Sequence, residues 1–175
     1  MALEDLGKPL QAGRLLEALE RHGVDFVVVG GLAGLAQGSS YPTYDLDVAY
    51  SRDAMNLRRL AAALEDLEVT LRGAPADLPF QPDARTLANG ANFTFDTPFG
   101  GFDILGDIAG MKSYDDLRKG SQLKRIAGVE VRVASLDHLI CMKRAANRTK
   151  DQLMVVEYVE LADEIRNRDS GKKEA

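Results

Sequence analysis

Two segments near the N-terminus decide the fold: residues 25–31 (DFVVVGG) and residues 45–48 (DLDV). The first is a short apolar run rich in β-branched residues that ends at Gly30 and Gly31, and this pattern predicts a strand, a glycine turn and a short helix. Thirteen residues separate Gly31 from Asp45. The second segment alternates carboxylates with apolar residues, which predicts a strand with one face in the core.

Asp45 and Asp47 project from one face of that second strand, because successive side chains of a strand alternate. Asp103 interrupts another short apolar strand, residues 102–105 (FDIL), and lies beside the first pair if the strands are neighbours. Three clustered carboxylates repel one another and raise each other's pKa values, so such clustering favours a bound cation, and Mg²⁺ prefers oxygen ligands. Taken singly, DLDV is also typical of an exposed alternating strand, and the glycine pair is typical of an ordinary turn.

The remaining periodicities predict an α/β (α+β) fold, with a mixed β-sheet flanked by helices and a C-terminal helical pair. The predicted single domain spans residues 1–167, with a sheet core over about 24–133, helices over about 135–167 and a flexible tail at 168–175. Residues 73–82 (GAPADLPFQP) are a predicted loop. The predicted helices are 10–22, 32–36, 54–67, 135–146 and a last one that Thr149 caps and that carries Leu153, Val156, Val159 and Leu161; the predicted strands are 25–29, 44–50, 68–71, 92–95, 102–105 and 129–133.

Composition excludes several protein classes. The chain of 175 residues is 45% hydrophobic and 28% charged, as in ordinary globular proteins. Cys141 is the only cysteine, so there is neither an intrachain disulfide nor a multi-thiolate zinc site. No apolar run approaches the length of a membrane-spanning helix, and a cytoplasmic location is expected.

Charge is unevenly distributed along the chain. Residues 1–111 carry 8 basic and 16 acidic side chains, whereas residues 112–150 carry 10 basic and 4 acidic ones. An acidic part that could hold metal, followed by a basic part that could contact phosphates, is typical of a nucleotide enzyme, and it is also compatible with an ordinary charged surface.

The glycine pair, the spacer, the Asp-x-Asp pair and a later third acid resemble the nucleotidyltransferase superfamily that includes DNA polymerase beta. The resemblance implies a nucleotidyltransferase fold in which Gly30 and Gly31 approach a nucleoside triphosphate. It also implies that Asp45, Asp47 and Asp103 hold two Mg²⁺ ions, with Mn²⁺ as a substitute. The implied reaction transfers a nucleoside monophosphate from an NTP to an acceptor hydroxyl, and Asp103 helps to deprotonate that hydroxyl.

The C-terminal part is similar to minimal nucleotidyltransferases and to toxins of the abortive-infection (AbiEii-like) type. In these proteins a lysine on one helix and a Lys-Asp pair opening the next helix complete the active site, and Lys143 and Asp151 are the matching positions. The resemblance implies that Lys143, Arg148 and Lys150 bind the phosphates and that Asp151 orients Lys143 or the nucleotide. A solvated charged turn between two helices is the alternative.

The resemblance to toxins implies a tRNA or protein acceptor and a cognate antitoxin. Two other functions stay open. One is transfer to a small molecule such as an antibiotic, and the other is nucleotide binding without catalysis. The second is motivated by residues 41–45 (YPTYD), where many relatives have an arginine before the threonine and this chain has none.

Overall fold

The structure, a computed structural model, describes residues 8–173. Its helices are α1 (Ala12–Arg21), α2 (Gly30–Gln37), α3 (Ala54–Asp66), α4 (Ala84–Asn89), α5 (Tyr114–Gly120), α6 (Leu136–Ala146) and α7 (Thr149–Lys173). Its strands are β1 (Phe26–Val29), β2 (Asp45–Tyr50), β3 (Thr70–Leu71), β4 (Asn92–Thr97), β5 (Gly100–Leu105), β6 (Gln122–Ile126) and β7 (Val129–Val133). Within residues 8–173, no helix is both long and apolar enough to cross a lipid bilayer.

The seven strands form one mixed sheet in the order β3-β4-β5-β2-β1-β7-β6. β2 runs parallel to β5 and β1 runs parallel to β7, while the other neighbours are antiparallel. All four residues of β1 are buried, as expected for a central strand that is covered on both faces. The predicted fold class, a mixed sheet flanked by helices, is confirmed.

β4 and β5 have one apolar face and one polar face. In β5, Phe102 and Ile104 are fully buried, while Asp103 on the opposite face is partly accessible. β4 follows the same alternation, with Phe95 in the core and Asp96 exposed. This alternation places Thr94 and Asp96 of β4 on the same side of the sheet as Asp103 of β5, which creates a polar surface over the core.

The sequence patterns missed three elements: α4, α5 and β6. α4 and α5 have six and seven residues, too few for a helical period to show, and side-chain caps from Asp83 and Ser113 start them. β6 (QLKRI) is a largely exposed edge strand and lacks an apolar face.

The C-terminal helices differ from the prediction in two ways. α7 continues to Lys173, so it occupies most of the segment predicted as a tail, and residues 174 and 175 lie outside the described part. Leu153 and Val156 are exposed, and the buried stripe of α7 instead contains Asp151, Met154, Tyr158 and Ala162. This stripe packs α7 onto the rest of the fold with a carboxylate at its start.

Candidate active site

Three carboxylates meet where β2 and β5 run side by side. In the register of these parallel strands Asp47 is the partner of Asp103, and Asp45 is the partner of Gly101. All three carboxylates line one cleft of about 470 Å³. The strands of Asp45, Asp47 and Asp103 are therefore neighbours, which is the condition under which the sequence placed Asp103 beside the other two acids.

Mutual repulsion and burial perturb two of these acids. Burial raises the pKa of Asp47 to about 7, and the charges of Asp103 and Asp45 contribute to the same rise. Burial likewise raises the pKa of Asp103; Arg72 opposes this rise and Asp45 adds to it. Burial and the neighbouring carboxylates therefore disfavour the ionised forms of Asp47 and Asp103 in the protein alone.

Gly30 and Gly31 form the wall against which Asp47 and Thr43 pack. Gly30 has φ +64, and a Cβ at this position would overlap the carboxylate of Asp47. A Cβ at Gly31 would lie 2.8 Å from Thr43 Oγ1. The glycine pair is thus required by the approach of Asp47 and Thr43 as well as by the turn itself.

The helix that starts at this turn faces the same cleft. Val29, Gly30 and Gly31 are cleft-lining residues, and the N-cap residue Val29 has no side-chain acceptor for the N–H groups of the first turn of α2. Helix N-termini with free N–H groups attract anions. The position of α2 therefore fits the predicted role of Gly30 and Gly31 in binding phosphate.

Asp151 holds two basic side chains at the opposite wall. Lys143 Nζ donates to Asp151 Oδ1 at 3.1 Å, and Arg148 Nε donates to Asp151 Oδ2 at 2.7 Å. The Asp151 carboxylate is fully buried, and although burial raises its pKa, the bonds from Arg148 and Lys143 hold the pKa at about 2. Asp151 therefore contributes to the cleft by positioning Lys143 and Arg148.

The basic wall lies within electrostatic reach of the acids. Lys143 is among the charges that lower the pKa of Asp47. Hydrogen bonding to Asp151 raises the pKa of Arg148, and Asp47 adds to that rise. Lys150 also lines the cleft, so the structure brings together every residue that the sequence indicated for metal and nucleotide.

Arg72 is a charged neighbour of the acids that the sequence patterns did not indicate. It follows β3, and its Nη2 lies 3.0 Å from Asp103 Oδ1 and 3.8 Å from Asp45 Oδ1. Arg72 stands one residue beyond a weakly patterned strand, so no signal in the sequence links it to Asp45 or Asp103. Tyr44 was also missed; it lines the cleft with 76% of its surface exposed.

The acids fit a divalent cation in chemistry and in charge. Asp103 Oδ1 is buried and finds no partner of hydrogen-bond geometry within residues 8–173, and its contact with Arg72 Nη2 is an ion pair at 3.0 Å. Such an oxygen is suited to ligate a hard cation. In residues 8–173, however, no group of three or more Asp, Glu, His or Cys side chains is arranged so that it could hold a metal ion. Metal binding by Asp45, Asp47 and Asp103 remains a prediction.

No family model matches the sequence, and neither does any curated protein. Several solved structures are similar in fold. The lincosamide antibiotic adenylyltransferase LnuA, solved with lincomycin bound, is 12% identical with a TM-score of 0.56, and the match covers 88% of this chain and 99% of LnuA. The antibiotic-resistance factor ANT(2'')-Ia, solved with adenylyl-2''-tobramycin, is 16% identical with a TM-score of 0.51, covering 89% and 95%.

A protein of Thermotoga maritima provisionally assigned as a nucleotidyltransferase is 18% identical with a TM-score of 0.50, and the match covers 89% of this chain and 90% of that protein. At these identities the likeness concerns the fold. Because each match covers most of both chains, it extends over the sheet and the C-terminal helices together. The chain has the nucleotidyltransferase fold.

Proposed function

We propose that this protein is a Mg²⁺-dependent nucleotidyltransferase that transfers a nucleoside monophosphate from an NTP to an acceptor hydroxyl. One observation carries the proposal: the acids of β2 and β5, the glycine turn and the Lys143–Asp151–Arg148 group surround a single cleft. A charged turn with only a structural role would not be expected to face three carboxylates across a cleft.

The two walls of the cleft have complementary tasks. Gly30, Gly31 and the start of α2 bind the triphosphate through backbone N–H groups. Lys143, Arg148 and Lys150 balance its charge, and the buried Asp151 holds the first two in place.

Asp45, Asp47 and Asp103 are the residues that would hold Mg²⁺, or Mn²⁺ in its place. Bound there, two such ions stabilise the charge that develops on phosphate oxygens. Asp103 would help to accept the proton of the acceptor hydroxyl, as the resemblance implies.

Two classes of acceptor are carried forward. The first is a tRNA or a protein, as for a toxin with a cognate antitoxin, and it is supported by the highly exposed Arg148 and by Lys150 at the rim of the cleft. The second is a small molecule, supported by the fold neighbours, which were solved with lincomycin and with adenylyl-2''-tobramycin.

A labelling experiment separates these functions. The protein is incubated with each α-³²P NTP and Mg²⁺, together with cell extract, with tRNA, or with a panel of lincosamides and aminoglycosides. Labelled tRNA or protein supports the macromolecular acceptor, and labelled antibiotic supports the small-molecule acceptor. Growth arrest on expression that is relieved by Asp45→Ala would support a toxin.

Two variants serve as controls for the labelling. Asp47→Asn removes one carboxylate of the cleft and is expected to abolish transfer. Asp163→Asn removes an exposed aspartate of α7 that pairs with Arg166, and it is expected to retain activity. Absence of label from the wild type with every acceptor would overturn the proposal and favour a nucleotide-binding protein without catalysis.

A further inference from the structure

The guanidinium of Arg72 is built into the acidic side of the cleft. Besides its approach to Asp45 and Asp103, its Nη2 donates to the carbonyl of Phe95 at 2.7 Å and its Nε donates to Asp96 Oδ1 at 3.1 Å. Only 34% of the side chain is exposed. Acceptors on β2, β4 and β5 thus fix one cation in place, unlike an arginine that moves freely at the surface.

Gly101 provides the space that this arrangement needs. It is the register partner of Asp45, and a Cβ at this position would overlap both Asp45 Oδ1 and Arg72 Nη2. Gly101 does not have a positive φ, so the need for glycine comes from space and not from backbone conformation. The backbone of β5 therefore allows the arginine and the aspartate to approach each other.

Arg72 faces the same oxygens that a cation between Asp45 and Asp103 would use. Its Nη2 forms an ion pair with Oδ1 of each carboxylate. A divalent ion bound by these two oxygens would lie next to a positive guanidinium, and like charges at such distances repel strongly at a partly exposed site. Within the described residues, Arg72 forms ion pairs with Asp45, Asp96 and Asp103. Asp47 is therefore the acid of the cluster that could bind a first divalent ion while Arg72 stays in place.

We propose that Arg72 is a competing cation that holds Asp45 and Asp103 in the metal-free protein and must withdraw before a second divalent ion binds between them. Arg72 thereby sets the concentration of divalent cation at which the site fills. Its Nε contact with the exposed Asp96 lies on the side of β4 and gives it a place to remain after its Nη2 releases the Phe95 carbonyl and the other two acids. The inference rests on the proposed metal-dependent function.

Mn²⁺ binding tests this role without any turnover. Metal-free protein is titrated with Mn²⁺ alone at pH 7.5, and the free ion is followed by electron paramagnetic resonance. Arg72→Met and Arg72→Gln remove the charge, and each is expected to bind Mn²⁺ about tenfold more tightly or to gain a second ion, because one repelling unit charge is lost. The neutral amide of Arg72→Gln can still donate hydrogen bonds, which protects the test if Arg72→Met folds poorly.

Two controls distinguish competition from a structural role. Arg72→Lys retains the charge and should bind Mn²⁺ as the wild type does. Arg52→Met removes an arginine that donates to the carbonyls of Ala88 and Gly90 and to no carboxylate, and it should also leave binding unchanged. A purely structural Arg72 would lower the melting temperature in its variants without tightening Mn²⁺ binding.

The inference would be overturned if both neutral variants bound Mn²⁺ as weakly as the wild type or more weakly. It would also be overturned if neither the wild type nor any variant bound Mn²⁺. Failure of the proposed function is recognised separately, because the titration contains no nucleotide or acceptor. Tighter binding by the neutral variants, with no nucleotide transfer by the wild type, would support the role of Arg72 and refute the catalytic proposal.

Discussion

Replacing Asp47 with asparagine is expected to stabilise the metal-free protein at pH 8. Asp47 is mostly buried beside Asp45 and Asp103, and its pKa rises from 3.8 to about 7 in the fold. Asparagine has nearly the same shape but no charge, so it removes the repulsion and the cost of burying an ion while the packing against Gly30 is retained.

The magnitude follows from the two pKa values. A carboxyl with a raised pKa in the folded state contributes stability below its unfolded pKa, near 4, and this stability is lost as the pH rises through the folded value of about 7. The complete difference corresponds to about 4 kcal/mol at pH 8, and water in the open cleft is expected to reduce it to about 2 kcal/mol. For a chain of this size that is a rise of about 6 °C in melting temperature.

Urea unfolding of both proteins in EDTA measures this effect. At pH 8 Asp47→Asn should unfold at higher urea than the wild type. The difference should fall to about a third at pH 5, where the carboxyl is protonated in the folded but not in the unfolded wild type, and it should vanish below pH 4. Added Mg²⁺ should stabilise the wild type at pH 8 and have a smaller effect on the variant. A variant that is less stable than the wild type at pH 8, or a difference that does not depend on pH, would refute the electrostatic reasoning.

Two further substitutions test the walls of the cleft. Gly30→Ala adds a Cβ that overlaps Asp47 at a residue with positive φ. It should lower the free energy of unfolding by about 2 kcal/mol in thermal unfolding and weaken Mn²⁺ binding. The control Gly73→Ala also changes a glycine with positive φ, but open space surrounds it, so it should affect stability less and leave Mn²⁺ binding unchanged. Asp151→Asn leaves Lys143 with a weaker, uncharged partner, so calorimetry should show weaker binding of a non-hydrolysable NTP. The variant should also lose about 2 kcal/mol of stability at pH 7. This loss should disappear towards pH 2, where wild-type Asp151 also loses its charge.

The acidic centre of the site could be predicted from local patterns. Alternation in residues 45–48 placed Asp45 and Asp47 on one strand face, and the single acid in an apolar strand indicated Asp103. The structure adds the parallel register that makes Asp47 the partner of Asp103. Strand order depends on contacts between distant segments, so no local period in this sequence predicted it.

The basic wall was predicted in composition but not in arrangement. The resemblance indicated Lys143 and Asp151, yet the burial of Asp151 and its bonds to both Lys143 and Arg148 appear only when α6 and α7 pack together. Of the four apolar residues that the sequence indicated in α7, Val159 and Leu161 pack against the core, whereas Leu153 and Val156 are exposed, because a helix with apolar residues on several sides does not reveal which side faces the core.

The sequence by itself determined the residues within each element: the glycine turn, the alternating acids of β2, the acid of β5 and the basic segment that ends at Lys150. These features can be read from the sequence because the side-chain periods of strands and helices involve only residues close together in the chain. Only the tertiary structure decided that Arg72 joins Asp45 and Asp103. Arg72 reaches Asp103 across β4, from a position 31 residues earlier in the chain, and no period in a sequence encodes a contact that long-range packing creates.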